Sequence, residues 1–170
     1  MCGRIIVLLF LVLPSLVLGR AFSDVARSDD RTKLVIMSED GLRSSAPPLY
    51  DQVEFDRPLV SPNGSYVGWL ALFPNCCTSY PVPMMLVVMD EKRRLQTFTG
   101  TQAIFSWCFL PDSGSVAYMQ AALHFSNEKH FERRSLRDGR LISQYNYPHE
   151  DAANKRAREG APAWVRCVPE

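Results

Sequence analysis

The sequence carries almost no net charge. Its 19 lysines and arginines stand against 18 aspartates and glutamates, a formal +1 over 170 residues. So balanced a chain offers no basic stripe to a nucleic-acid backbone or an anionic membrane, and no nucleic-acid partner is expected. Several chemical signatures are missing as well. There is no GxSxG nucleophile elbow, no glycine-rich phosphate or dinucleotide loop, no HxxxH pair and no CxxC pair. Those are the spacings that serine hydrolases, nucleotide sites and zinc sites use. On these absences the chain reads as not an enzyme, with no catalytic residue, no metal ligand and no cofactor. Helical periodicity is nearly absent too, which excludes a coiled coil.

What is present begins with an address. One positive side chain, Arg4, precedes an almost wholly apolar run from Ile5 to Leu18. A basic start followed by a run too short for a comfortable membrane span reads as a secretory signal. Small residues allow cleavage after Gly19 or after Ala21. Residues 1–21 are taken as the signal peptide, 22–32 as a loose polar arm and 33–170 as one β domain. The protein is expected to be secreted or periplasmic, with no stable membrane anchor after cleavage. Cys2 leaves with the signal, so Cys76, Cys77, Cys108 and Cys167 remain as disulfide candidates. Four cysteines allow three connectivities. Cys76 and Cys77 are adjacent and can hardly pair with each other without strain. Either could instead reach Cys108 or Cys167, and free buried thiols are the other reading.

From Lys33 onward, short β-prone runs alternate with turn residues: 33–37, 66–73, 84–89, 94–99, 103–110, 115–125, 130–136 and 140–146. Several of them recur. Pro62-Asn63-Gly64-Ser65-Tyr66-Val67-Gly68-Trp69 lines up without a gap on Pro111-Asp112-Ser113-Gly114-Ser115-Val116-Ala117-Tyr118. A strand–turn–strand unit recurs around Leu34–Leu42, Leu86–Leu95 and Phe131–Leu141. In the turns, proline presets φ, Asn or Asp bonds back to the backbone, and glycine (Gly64, Gly114) supplies the positive φ. In the strands that follow, Val67 and Trp69 share one face, as do Val116 and Tyr118. Trp107 and Trp164 recur in a third element. These six residues are the expected contacts between repeats.

These repeats resemble the WD40-like blades of TolB-type β-propellers, also seen in the propeller domains of prolyl-oligopeptidase-type peptidases. The resemblance implies an all-β fold of two to three antiparallel propeller-blade-like sheets, open or incomplete as a propeller; separately, Pro148, the early acids, the late bases and Gly160 read as a short C-terminal helix over 148–160. A β-sandwich is the alternative. Two blades run from about Arg57 to Thr99 and from about Ala103 to Asn146. A third is assembled from the hairpin 33–45 and an inner strand at Trp164–Val168. Three blades cannot obviously close a ring, so self-association or a protein partner is expected. TolB-type propellers are interaction platforms, which implies a protein-binding or scaffolding role. One alternative is a propeller remnant with only a self-association face.

A small secreted hydrolase or metal-dependent enzyme is another. His124, Glu128, His130 and Glu132 are the nearest thing to its chemistry, but Ser126–Lys129 reads as a hairpin loop that breaks the strand. Lys92, Arg93, Arg94, Arg133, Arg134, Arg137 and Arg140 read as solvated charges at sheet edges. The loop from Phe73 to Pro83 is longer than a hairpin needs; it reads as a disulfide-pinned structural loop, and it is also the best candidate for a contact surface.

Overall fold

Among the described residues, alternating apolar residues and left-handed turns give eleven strands in three antiparallel sheets. The computed structural model describes residues 20–123, 128–147 and 159–169. The first sheet holds β1 (Phe22–Arg27), β2 (Leu34–Ser38) and β3 (Arg43–Ser45) in that order. The second is a meander of β4 (Glu54–Val60), β5 (Tyr66–Phe73), β6 (Val82–Asp90) and β7 (Leu95–Thr99). The third repeats it with β8 (Ala103–Phe109), β9 (Ser115–Ala121), β10 (Lys129–Ser135) and β11 (Leu141–Tyr147). A four-residue helix, α1 (Ala163–Arg166), follows. The fold is all-β, an open, propeller-like stack with no closed barrel. It is not a two-sheet sandwich.

The sequence repeats are repeats of structure. Ser61 N donates to Tyr66 O (2.8 Å) and Gly64 N to Ser61 O (2.9 Å). In the next sheet Leu110 N donates to Ser115 O (3.0 Å) and Ser113 N to Leu110 O (2.9 Å). Each pair closes the turn between the first two strands of its sheet. The other recurring turn joins the last two strands. There Ser38 N, Asp90 N and Ser135 N donate to Leu42 O, Arg94 O and Arg140 O. Gly41, Arg93 and Gly139 take its left-handed position, with φ of 79°, 61° and 74°.

The sheets stack face to face, and β5 explains why. Its side chains alternate between two neighbours. Val67, Trp69 and Ala71 pack toward the first sheet, with Phe22, Leu34, Ile36 and Phe55. Leu70 and Leu72 pack toward the third, with Ile104, Trp107, Val116 and Tyr118. A strand buried on both sides reads as a nearly continuous apolar run, as YVGWLALF does. The two neighbours meet most closely at Trp107. A Cβ at Gly68 would lie 2.6 Å from the Trp107 ring, so the missing side chain on β5 is the space the indole fills. Trp107 Nε1 donates to Arg57 O (2.9 Å), a carbonyl beside the irregularity in β4 pairing.

Three expectations need correction. Residues 22–27 are a strand, not part of a loose arm. Phe22 buries its ring and its N–H donates to Gly64 O (2.7 Å), which fixes a segment whose other residues are mostly polar. Trp164–Val168 is not the inner strand of a third blade. It holds α1, and Val165 and Val168 pack with Ala117, Met119 and Phe131 against the far face of the third sheet. The Cys108–Cys167 disulfide anchors it there. Among the described residues the first sheet therefore has no strand inside β1, and no C-terminal strand joins it. The second blade-like sheet begins at Glu54 rather than Arg57. The helix expected over 148–160 lies almost wholly outside the described residues.

Two outcomes test this packing. Gly68→Ala should destabilise by about 2 kcal/mol through overpacking against Trp107. Combining it with Trp107→Leu should cost less than the two changes summed, as read from urea midpoints in a double-mutant cycle. Replacing Cys108 and Cys167 by alanine should cost about 4 kcal/mol by loop-closure entropy, seen as a lowered Tm.

Candidate functional site

The repeat turns sit side by side. Pro62, Asn63 and Gly64 form the first and Pro111 and Asp112 enter the second. Asn63 Oδ1 accepts from Ser65 N (3.1 Å), and Asp112 Oδ1 accepts from Gly114 N (2.9 Å). Gly64 takes the positive φ of the first turn (72°). In the second that position falls on Ser113 (50°), not on Gly114. The gapless alignment decides this, because it places Ser113 opposite Gly64. Ser113 is retained at a strained position while bonding across the interface: Asn63 N donates to its Oγ (3.3 Å).

The expected packing residues divide between interfaces. Val67 and Trp69 face the first sheet; Val116, Tyr118 and Trp107 face the second. Trp164 lies in α1 and is partly buried on the third sheet's far side. Of the cysteines, Cys108 pairs with Cys167 (Cα–Cα 6.1 Å), while Cys76 and Cys77 are free and exposed. Neither reaches the Cys108–Cys167 pair.

The most developed polar site lies on the outer half of the third sheet. Strand register puts Tyr118 opposite Glu132 and Gln120 opposite His130. Glu132 is only 8% exposed. Its Oε2 accepts from Tyr118 OH (2.7 Å) and from Arg134 Nε (2.7 Å). Arg134 Nε also donates to Tyr118 OH (3.1 Å). His130 Nε2 faces Glu132 Oε1 at 3.2 Å, and its Nδ1 faces Asn146. Thr101, Gln102, Lys129, His130, Glu132 and Asn146 line an open cleft of about 650 Å³ beside this network.

Burial pushes the Glu132 carboxyl up, but the hydrogen bonds from Tyr118 and Arg134 and the guanidinium charge outweigh it, and the net shift is downward. Burial, then the hydrogen bond to Glu132, pushes the Tyr118 hydroxyl up. The result is a fixed carboxylate at neutral pH, held by donors and charge. Arg134 is thus no solvated edge charge; it is the counterion of Glu132. Arg93 is not one either, since its guanidinium donates to Ser44 Oγ and Ser45 O on the first sheet.

His130 and Glu132 do meet, as the alternative enzyme reading requires, but His124 lies outside the described residues. Among the described residues no group of three or more His, Cys, Asp or Glu side chains is placed to hold a metal ion. The Tyr118–Glu132 pairing was missed in the sequence. It depends on the register between β9 and β10, and no local motif encodes it.

No family model and no curated protein matches the sequence. Similar solved structures include a Mycobacterium tuberculosis puromycin-hydrolyzing peptidase, at 15% identity and TM-score 0.47, covering 73% of this chain and 22% of that one. The Pyrococcus horikoshii acylaminoacyl peptidase is similar at 16% identity and TM-score 0.47, covering 76% and 25%. The chain spans about a quarter of the length of each. Both neighbours are peptidases, and the expectation that this chain is not an enzyme is withdrawn on that finding.

The Glu132 network sets an acid limit on stability. A carboxyl whose folded pKa lies below its unfolded value stabilises above the unfolded value and loses that contribution as pH falls through the folded one. Glu132→Gln should cost about 1–3 kcal/mol at pH 7, because Arg134 and Tyr118 lose a charged acceptor. The gap between wild type and variant should narrow as pH drops below the ordinary 4.5 of a glutamate. Urea titrations at a series of pH values measure it.

Proposed function

We propose that the chain is an exported module of TolB-type blade repeats that binds another protein through its first sheet. The observation that carries this reading is the asymmetry of the stack. The far face of the third sheet is covered by the tail around α1. The far face of the first sheet carries Ala26, Val35 and Met37, flanked by Asp24, Arg43 and Ser45, and Val35 is 41% exposed. By the repeat, Val35 and Met37 occupy the positions of Val87 and Met89, which in the second sheet are buried against a preceding sheet. Among the described residues no neighbour or cap lies on that outer face, and an uncovered repeat face is a binding surface.

The open edge of β1 is a poorer candidate. Ladder alternation turns the Val25 N–H outward there, and Asp24 Oδ1 already accepts it (2.8 Å). A side-chain cap of this kind discourages strand addition. The partner therefore stacks on the face, as a preceding blade would; a second copy of the chain is one such partner.

The Cys108–Cys167 disulfide supports export, since such bridges persist in oxidising compartments. Arg20 pairs with Asp40 (3.0 Å) and Ala21 O accepts from Glu39 N (3.0 Å). Cleavage after Gly19 keeps both contacts, so the exported chain should begin at Arg20 by N-terminal sequencing. An unprocessed chain retained in the cytoplasm would refute export.

Binding is tested with a photo-crosslinking residue placed at Val35, and separately at the 91% exposed Tyr50, in the full chain in its native compartment. A discrete protein adduct from position 35 but not from position 50 is expected. No adduct, or equal labelling at both positions, overturns the assignment of this face.

A further inference from the structure

The loop between β5 and β6 holds two thiols that the fold does not use. Cys76 and Cys77 are exposed, and the Cys108–Cys167 bridge leaves neither a partner among the described cysteines except the other. In an extended strand adjacent side chains point to opposite faces. Here the chain turns instead. Asn75 Oδ1 accepts from Cys77 N (3.2 Å), and Thr78 Oγ1 donates to Tyr80 O (2.6 Å). This turn brings both sulfurs to one side, with Cys76 Sγ 2.9 Å from Cys77 Sγ.

We propose that Cys76 and Cys77 form a reversible thiol–disulfide redox site whose co-substrate is a small disulfide of the glutathione type. Cys76 attacks the disulfide of the oxidant and expels one thiol, leaving a mixed disulfide on Cys76. Cys77 then attacks Cys76 Sγ and expels the second thiol. One S–S bond forms in the protein and one breaks in the oxidant, which gains two electrons and two protons. The hydrogen bond between the two groups pushes the Cys77 thiol up, and the 2.9 Å separation places either sulfur to resolve a mixed disulfide on the other.

Reversibility follows from geometry. The peptide bond between Cys76 and Cys77 is trans, so the two Cα atoms are held about 3.8 Å apart. That is shorter than the roughly 4.4–6.8 Å a relaxed disulfide spans, and a strained bridge is readily reduced. Closing it remodels the turn that presents Tyr80, which is 54% exposed. The oxidation state of the pair is thereby displayed on the loop's surface.

The test treats the full exported chain with oxidised glutathione, then alkylates, digests and weighs the peptides. In the wild type the peptide carrying both cysteines should lose two hydrogen atoms, resist alkylation and carry no glutathione. Mild reduction that leaves Cys108–Cys167 closed should reopen it. Cys77→Ser removes the resolving thiol and should trap a stable glutathione adduct on Cys76; Cys76→Ser should leave any adduct on Cys77 equally unresolved. The proposal is overturned if wild type keeps the adduct or both thiols stay alkylatable. A disulfide-linked dimer, or exchange with Cys108 or Cys167, overturns it too.

Discussion

The fit of Trp107 over Gly68 is the contact on which the stacking of the second and third sheets depends. The indole needs three things at once: a glycine on β5, a carbonyl turned out of β4 at Arg57, and a ring partner in Phe109, 4.9 Å away between centroids. A large aromatic buries more area than most other side chains, and a buried indole N–H usually finds an acceptor. The first interface shows the contrast. Trp69 is equally buried and stacks on Phe55 at 5.9 Å, yet its Nε1 has no hydrogen-bond partner. The two interfaces are thus built from repeating strands but are not chemically equivalent. The second is the more specific of the two.

The turns show how far repetition constrains residue choice. One left-handed position is shared by Gly41, Arg93 and Gly139, another by Gly64 and Ser113. Where glycine is absent, the substitute makes a bond that glycine could not. Arg93 reaches Ser44 and Ser45 on the neighbouring sheet, and Ser113 accepts from Asn63 in the neighbouring turn. Backbone strain is accepted where it gains a cross-sheet contact.

Much of the architecture was legible because each repeat carries its own turn chemistry and its own alternation. The strands from Tyr66 to Tyr147 fall close to where those patterns put them. What escaped was set by partners distant in sequence. β1 is polar except for Phe22, Val25 and Ala26 and is a strand because it pairs with β2 and meets the Gly64 turn. Trp164–Val168 matches a strand motif but falls in and just after α1, where Val165 and Val168 pack on the third sheet and the Cys108–Cys167 bond ties the segment down. Glu132 and Arg134 looked like one acid and one base among many until the β9–β10 register placed both beside Tyr118. The adjacent cysteines looked unable to pair, and a local turn brought their sulfurs together.

The Cys108–Cys167 bond also decides how the molecule responds to mechanical force. It joins residues 59 apart in sequence and encloses the whole of β9, β10 and β11 in one covalent loop. Tension applied at the C-terminal end enters the fold near the end of β8 and skips those three strands. While the bridge is closed, they bear no load, and the sheet is pulled through its strand nearest the neighbouring sheet. Once it is reduced, the same tension reaches β11, the opposite edge strand, and the third sheet unzips from outside inward. One covalent bond thus sets which end of the sheet yields first.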